Sequence, residues 1–280
     1  MARVIGKFPG LTARDIDPLL ESFKRVIVRT LETQIRFPIS EQGVLLPTHI
    51  YGQLAEVIGR LNRHRPRCSI ITFNYDIALD HALRFASVPI DYGFVDSARG
   101  TPLLKLHGSI NWAKVQEEDT IFAWDLLDYT SRRDWIPDFG SPYGMLSIGS
   151  EIISGRQNPA GKITETIPVI IPPTWNKTNY YSSIAAVWQR AASELASAEH
   201  IFVSGYSLTG TDTYFKYLFA LGSTSDQILE RFEVFDPGAV KEKFERILGP
   251  AARSVFRHHQ TDFPSLVETL ATLAPKSAGT

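Results

Sequence analysis

Two short apolar runs of this chain each end in a polar segment with chemically capable side chains. The runs are residues 70–73 and 103–106, and the segments after them supply an amide, a carboxylate and an imidazole, at Asn74, Asp76 and His107. Runs of this length bounded by turn residues are typical of buried strands. In an open parallel sheet, ligands bind just outside the carboxyl ends of the strands. The pattern therefore predicts a polar site at one sheet edge.

Helical and strand-like patterns alternate along the chain. The predicted strands are residues 68–73, 103–106, 166–171, 201–204, 232–235 and 254–256. The predicted helices are residues 15–36, 48–64, 76–85, 180–198, 211–221, 238–248 and 262–273. Strands that alternate with helices favour a parallel sheet with helices on both faces. We therefore predict an α/β fold with a doubly wound, mostly parallel sheet.

The region from about residue 113 to 166 differs from the rest. It is rich in Gly, Pro, Asp and Ser and has no long periodic segment. We interpret it as an irregular insertion or small subdomain. The prediction is one α/β domain over residues 1–275, followed by a disordered tail at 276–280.

Composition excludes several classes of function. The chain has 280 residues, a formal net charge of −1 and a single cysteine, Cys68. Nucleic-acid binders usually show a basic excess, and zinc sites built on three or four cysteines are impossible here. No apolar stretch approaches the roughly 20 residues that span a bilayer, and the N-terminus lacks the apolar stretch of a secretory signal. We expect a cytoplasmic protein.

Each candidate residue at the two strand ends also has a structural interpretation. Asp76 precedes a predicted helix, where aspartate is a favoured N-cap, and Asn74 is a common turn former. His107 suits general-base chemistry near neutral pH, although a lone histidine is often structural. Gly108 allows the close approach of either a ligand or another strand. Ser109 completes this second patch.

Two further patches follow later strands. Gly205, Tyr206 and Ser207 come after residues 201–204, where a glycine and a hydroxyl ahead of a helix suit contact with a nucleotide ribose or phosphate. Thr209 replaces the last glycine of a hydrolase nucleophile elbow, which disfavours that alternative. A helix at 213–221 explains Asp212 as its cap.

An acid also follows the strand at residues 232–235. Asp236 suits either a ribose hydroxyl or a helix cap. No metal site is predicted, because the neighbouring His258 and His259 point to opposite faces of a strand and no His-Glu-x-x-His pattern occurs.

The order of these patches resembles the SIR2-like (sirtuin-related) family, and most closely its prokaryotic branch found in antiphage defence proteins. The resemblance covers roughly residues 45–265. It implies a Rossmann-like domain with an insertion, and NAD as the ligand. It also implies catalytic roles for Asn74, which would hold the nicotinamide-side ribose or the attacking water, and for His107, the base.

The resemblance further implies a set of cofactor contacts. Asp76 would lie near the nicotinamide amide, and Asp236 near the adenine ribose, where sirtuins often have Asn. The other implied contacts to NAD are Gly108, Ser109, Gly205, Tyr206 and Ser207. These assignments require that Asn74 and His107 lie on the same side of the sheet.

Two departures from the family pattern shape the prediction. The sirtuin zinc module needs four cysteines, so protein deacylation is disfavoured and NAD hydrolysis is favoured. Nothing in the sequence matches the family's Gly-Ala-Gly-x-Ser phosphate loop, since Gly6 and Gly10 do not follow a strand in the required arrangement. A late start, a decayed gene, or a strand and loop supplied by another chain would each account for this.

The predicted function is therefore NAD glycohydrolysis, which gives nicotinamide and ADP-ribose. The alternative is an inactive module of the same fold that binds a nucleotide or a protein partner. We expect NAD or ADP-ribose as ligand, no metal, and either self-association or a partner chain.

Overall fold

A computed structural model gives the arrangement of most of the chain. It describes residues 13–64, 68–95, 99–115, 120–131, 135–136, 145–147, 156–157, 163–164, 166–171, 184–206, 208, 218 and 228–275. The helices are α1 (Ala13–Gln34), α2 (His49–His64), α3 (Ala78–Phe85), α4 (Leu126–Ser131), α5 (Ala185–Ala196), α6 (Lys241–Ile247), α7 (Pro250–Ser254) and α8 (Phe263–Leu273).

Strands alternate with these helices along much of the chain. They are β1 (Arg36–Pro38), β2 (Ile70–Thr72), β3 (Ile90–Asp91), β4 (Thr101–Lys105), β5 (Gly108–Val115), β6 (Ile121–Ala123), β7 (Trp135–Ile136), β8 (Met145–Ser147), β9 (Arg156–Gln157), β10 (Ile163–Thr164), β11 (Thr166–Ile170), β12 (His200–Ser204), β13 (Arg231–Phe235) and β14 (Phe256–His259). The predicted α/β class with parallel sheets is confirmed.

Parallel pairing forms two sheets of three strands each. One has the order β2-β4-β3 and the other β12-β13-β14. The last strand runs over Phe256–His259, later than the predicted 254–256, because α7 occupies Pro250–Ser254. Of the predicted helix at 211–221, only residue 218 lies among the described residues.

An antiparallel sheet, β11-β5-β6, lies directly after the first parallel sheet in the chain. The predicted strand at 166–171 is present as β11, but it pairs with β5 rather than with a parallel neighbour. The sequence pattern did not reveal β5. Nearly all its residues are buried, so it shows no alternation of apolar and polar side chains.

Helices cover both parallel sheets with apolar side chains. The helices α2, α3 and α8 pack together over the first sheet through Leu54, Ile58, Leu83, Leu103 and Val267. Phe232, Val234 and Phe244 form the centre of the second sheet's core. Full burial of such a side chain contributes about 1.5–3 kcal/mol.

The strands β2 and β12 lie at the edges of their two sheets. Within the described residues each pairs with one neighbour only, β2 with β4 and β12 with β13. Both are apolar, yet they are partly exposed, whereas β4 is fully buried. Helix α8 contacts α2, β12 and β13, and so connects the two halves.

In the part of the chain that the structure describes, no helix combines the length and the apolar character needed to cross a membrane.

A buried histidine in α3 makes stability depend on pH. His81 packs on Phe37 with ring centroids 4.8 Å apart, and its Nε2 lies 3.2 Å from the Leu45 carbonyl oxygen. Burial lowers its pKa below the usual 6.5, although the Leu45 contact opposes this shift. As the pH falls, the His81 imidazole is therefore protonated in the unfolded chain before it is protonated in the folded chain. The free energy of unfolding decreases as the pH falls below about 6.5.

We predict that His81→Gln flattens the dependence of unfolding free energy on pH between about pH 7 and pH 5. Urea denaturation at several pH values measures this slope. The exposed His200 provides the control, as His200→Gln removes a histidine without removing a buried one. An unchanged slope in His81→Gln would contradict the prediction.

Candidate functional site

The loop between β2 and α3, residues 73–77, forms one side of the candidate site. Asn74 is exposed, and its backbone N–H donates to Thr72 Oγ1 at 3.1 Å. Asp76 Oδ1 accepts a hydrogen bond from the Ala78 N–H at 2.9 Å, just where α3 begins. The N-cap of α3 is Ile77 and not Asp76, so Asp76 binds the Ala78 N–H from the residue before the cap. Its contact with a cofactor stays a prediction.

His107 lies in the turn after β4 and faces this loop. Its ring packs edge-on against Phe73 at 5.0 Å between centroids and lies 6.1 Å from the ring of Tyr75. These two aromatic residues flank Asn74 in sequence, so His107 lies against the segment that carries Asn74. His107 is half-buried, as a base shielded from bulk water would be.

Tyr75 connects the loop to the antiparallel sheet through hydrogen bonds. Its carbonyl oxygen accepts from the Ile110 N–H at 2.9 Å and from Ser109 Oγ at 3.2 Å, and its hydroxyl donates to the Ile171 carbonyl. Burial raises the pKa of Tyr75 to about 12, so the hydroxyl remains a donor at neutral pH. Ser109 is fully buried and supports the loop; its contact with a cofactor stays a prediction.

Gly108 is the point where β11 comes closest to the turn. Its φ is +80°, and a Cβ added there would lie 2.0 Å from the Val169 carbonyl oxygen. The Ile171 N–H donates to the His107 carbonyl at 2.8 Å beside it. Glycine is required here because β11 approaches closely. The sequence left open whether a strand or a ligand makes this close approach, and the structure shows the strand. Contact with a ligand stays a prediction.

The second parallel sheet reaches the same edge through Tyr206. This ring stacks on Phe73 with centroids 5.1 Å apart and planes 14° apart. Gly205 precedes it, directly after β12, with a φ of +65°, and no described atom lies within 4 Å of a Cβ added there. Ser207 and Asp212 lie outside the described residues.

Asp236 follows β13 in the second parallel sheet. Its Oδ1 accepts from the Gly238 N–H at 2.7 Å, and its carbonyl oxygen accepts from His258 Nε2 at 3.0 Å. Within the described part of the chain, its hydrogen bonds connect it to β14 and to its own turn. The structure thus brings His107 and Tyr206 against the segment that carries Asn74, while the roles of Asn74, His107 and Asp236 stay predictions.

Beneath the loop lies a buried ion pair that sequence reasoning missed. Lys105 Nζ lies 3.0 Å from Asp80 Oδ2, both side chains are almost fully buried, and Nζ also donates to the Asp76 carbonyl. Tyr92 donates its hydroxyl to Asp80 Oδ1 at 2.7 Å. The signal was present, because a lysine inside an apolar buried strand requires a partner.

Among the residues that the structure describes, no group of three or more His, Cys, Asp or Glu side chains is arranged to hold a metal ion.

Comparisons with known proteins give structural neighbours only. No protein-family model and no curated protein sequence matches the chain. Among solved structures, two mutants of a Sir2 homologue in complex with ADP-ribose match with 12% identity. One covers 96% of this chain and 80% of its own with a TM-score of 0.47, the other 97% and 82% with 0.48.

A Sir2 homologue in complex with NAD also matches, with 13% identity and a TM-score of 0.42, over 96% of this chain and 77% of its own. At this level of similarity, those structures establish neither an activity nor a ligand for this chain.

The turn at Gly108 yields a test of the local geometry. We predict that Gly108→Ala lowers the free energy of unfolding by at least about 2 kcal/mol, because it adds a backbone clash to an unfavourable φ. Gly205→Ala is the matched control: its φ is also positive, but no described atom lies within 4 Å of the new methyl group.

Urea denaturation of both variants measures the difference. If Gly108→Ala and Gly205→Ala are destabilised equally, the Val169 carbonyl can move to accommodate the methyl group. This result would contradict the prediction that glycine is needed at position 108 for the approach of β11.

Proposed function

We propose that this chain is a SIR2-like NAD-binding protein that hydrolyses the nicotinamide–ribose bond of NAD. The observation that carries the proposal is the position of His107 between Phe73 and Tyr75, the two neighbours of Asn74. An amide and an imidazole at the carboxyl edge of a parallel sheet suit polar chemistry on a nucleotide. The resemblance of the ordered patches to the SIR2-like family supports the same reaction.

The proposed reaction converts NAD⁺ and water to nicotinamide, ADP-ribose and a proton. The C–N bond to nicotinamide breaks, its electron pair leaves with the neutral base, and a water oxygen bonds to the ribose carbon. Such glycosidic cleavages pass through a transition state with oxocarbenium character. His107 accepts the proton of the ribose hydroxyl or of the water, and Asn74 orients the reacting group.

The aromatic side chains around His107 favour this chemistry. The Phe73 ring contacts both His107 and Tyr206, so apolar surface borders the imidazole on the side of the second sheet. A water-excluding border strengthens each polar interaction with the developing charge.

The remaining predicted residues are proposed as the cofactor-binding set. Asp76 and Gly108 are proposed near the nicotinamide side, and Gly205 and Tyr206 at the nucleotide side. The carboxylate of Asp236 is proposed to accept a hydrogen bond from the adenine ribose. Ser109 and Ser207 complete the set that the resemblance implies.

An inactive module of the same fold is the second candidate. The observation that favours it is the lack of a Gly-Ala-Gly-x-Ser segment in the sequence, since such a loop supplies bare N–H groups to the pyrophosphate. Under this alternative the chain binds a nucleotide or a protein partner and releases no nicotinamide.

We also propose that β2 and β12 pair with a strand from another polypeptide, a second copy of this chain being the first candidate. Both edges are apolar and partly exposed, and within the described residues neither pairs on its outer side. Exposed apolar edges are templates for strand addition. We further propose a cytoplasmic location and, as the resemblance implies, a role in antiphage defence.

The first prediction here concerns NAD cleavage. We expect the purified chain to release nicotinamide from NAD, and Asn74→Ala and His107→Ala each to lower the rate at least about 100-fold, because each removes a group that acts on the ribose or the water. Chromatography of the reaction mixture measures nicotinamide and ADP-ribose directly.

His200→Ala is the matched control for His107→Ala, since it removes an exposed imidazole at the far end of β12. Activity equal to wild type in His107→Ala would overturn the assignment of the base. A folded wild-type chain that binds ADP-ribose without releasing nicotinamide would support the inactive-module alternative.

The second prediction concerns the open edges. We expect light scattering after size-exclusion chromatography to give a mass of at least twice the 31.3 kDa of one chain, because self-association covers apolar edge strands. A monomer mass at every protein concentration would contradict self-association and would direct the search to a different partner.

A further inference from the structure

The β2–α3 loop is held from below by a buried charge. Lys105, the last residue of β4, is 1% exposed, and its ammonium donates both to Asp80 in the first turn of α3 and to the backbone carbonyl of Asp76. Asp80 is equally buried and also accepts from Tyr92. The pair therefore lies between β4, whose following turn carries His107, and the loop that carries Asn74.

The Asp76 carbonyl needs this donor. It belongs to a residue that has left β2 and precedes α3, so neither the sheet nor the helix ladder supplies a partner to it. Among the described hydrogen bonds, the one that reaches this carbonyl comes from Lys105. A buried carbonyl without a partner is unfavourable, so the ammonium fixes the direction in which the loop leaves the strand.

Burying an ion pair at this position is unfavourable in free energy compared with burying apolar side chains. Buried pairs are often matched in stability by apolar residues of similar size, because both charges lose their hydration. Leu104 and Leu106, on either side of Lys105, are both apolar and fully buried. The pair is better explained by its effect on the orientation of the β2–α3 loop than by a contribution to the free energy of unfolding.

Asp80 is itself fixed from two sides. Burial raises the pKa of Tyr92 well above its usual value, so its hydroxyl donates to Asp80 at neutral pH. With one carboxylate oxygen bound to Tyr92 and the other to Lys105, the ammonium has little freedom to move. Its third contact, the Asp76 carbonyl, is therefore held at a defined place.

We propose that Lys105 is a positioning residue, which holds the Asn74 amide in register with His107 by binding the Asp76 carbonyl. The predicted ordering of the loop stands on the structure alone, whereas its effect on catalysis rests on the proposed function. Lys105 does not touch the substrate in this proposal; it acts through the loop.

The test compares Lys105→Met with the double variant Lys105→Met, Asp80→Asn. The single variant leaves a buried carboxylate without its cation, so it loses stability for a trivial reason. The double variant removes that charge and regains stability, but still lacks a donor to the Asp76 carbonyl. Lys24→Met is the control, because Lys24 is a buried lysine paired with Glu21 on α1.

Two measurements are made on each variant. Amide hydrogen exchange of residues 73–77 is expected to be at least about tenfold faster in the double variant than in wild type. The turnover number for nicotinamide release is expected to fall about 100-fold, as for a misplaced reacting group, while the affinity for ADP-ribose stays near that of wild type. Lys24→Met is expected to change neither quantity.

The outcomes separate the two proposals. Wild-type exchange in the loop and wild-type turnover in the stable double variant would overturn the positioning role and reduce the pair to a structural contact. If the wild-type chain itself releases no nicotinamide, the proposed function fails, and the exchange rates still decide whether Lys105 orders the loop. Should the single variant not fold, the double variant is compared directly with wild type.

Discussion

The parallel pairing of β2 with β4 is the constraint on which the candidate site depends. Thr72 lies opposite Lys105, and the Leu106 N–H extends the ladder to the Thr72 carbonyl at 2.9 Å. Both strands therefore end at the same level, and the residues that follow them meet. A register shift of one residue would turn the side chains of β2 to opposite faces and move the loop away from His107.

Around this pairing, each support of the loop comes from a different part of the chain. Lys105 of β4 binds the Asp76 carbonyl, and Ile110 and Ser109 of β5 bind the Tyr75 carbonyl. The turn that carries His107 is bonded separately, because Trp188 of α5 donates to the Leu106 carbonyl at 3.0 Å. These carbonyls lie outside the hydrogen-bond ladders of the helices and sheets. They therefore need other donors, because a buried carbonyl without a hydrogen bond is unfavourable. A loop held from several elements is rigid enough to position an amide.

The sequence was most informative where strands are short and buried and end in polar residues. It predicted the helices α1 and α2, and the strands of both parallel sheets except β3, to within a few residues, because helical periodicity and apolar runs report directly on burial. It missed β5, whose two faces are both covered, and the ion pair of Lys105 with Asp80. Partners 25 residues apart in sequence are joined only by the packing of α3 on β4.

By itself, the sequence determined the α/β class and which residues follow the strands, since local pattern and turn chemistry decide both. Only the tertiary structure decided that His107 packs against the two neighbours of Asn74, that Tyr206 of the second sheet reaches Phe73, and that Gly108 is needed for the approach of β11. The physical reason is that strand pairing and close packing join residues far apart in the chain, and one-dimensional periodicity carries no information on such partners.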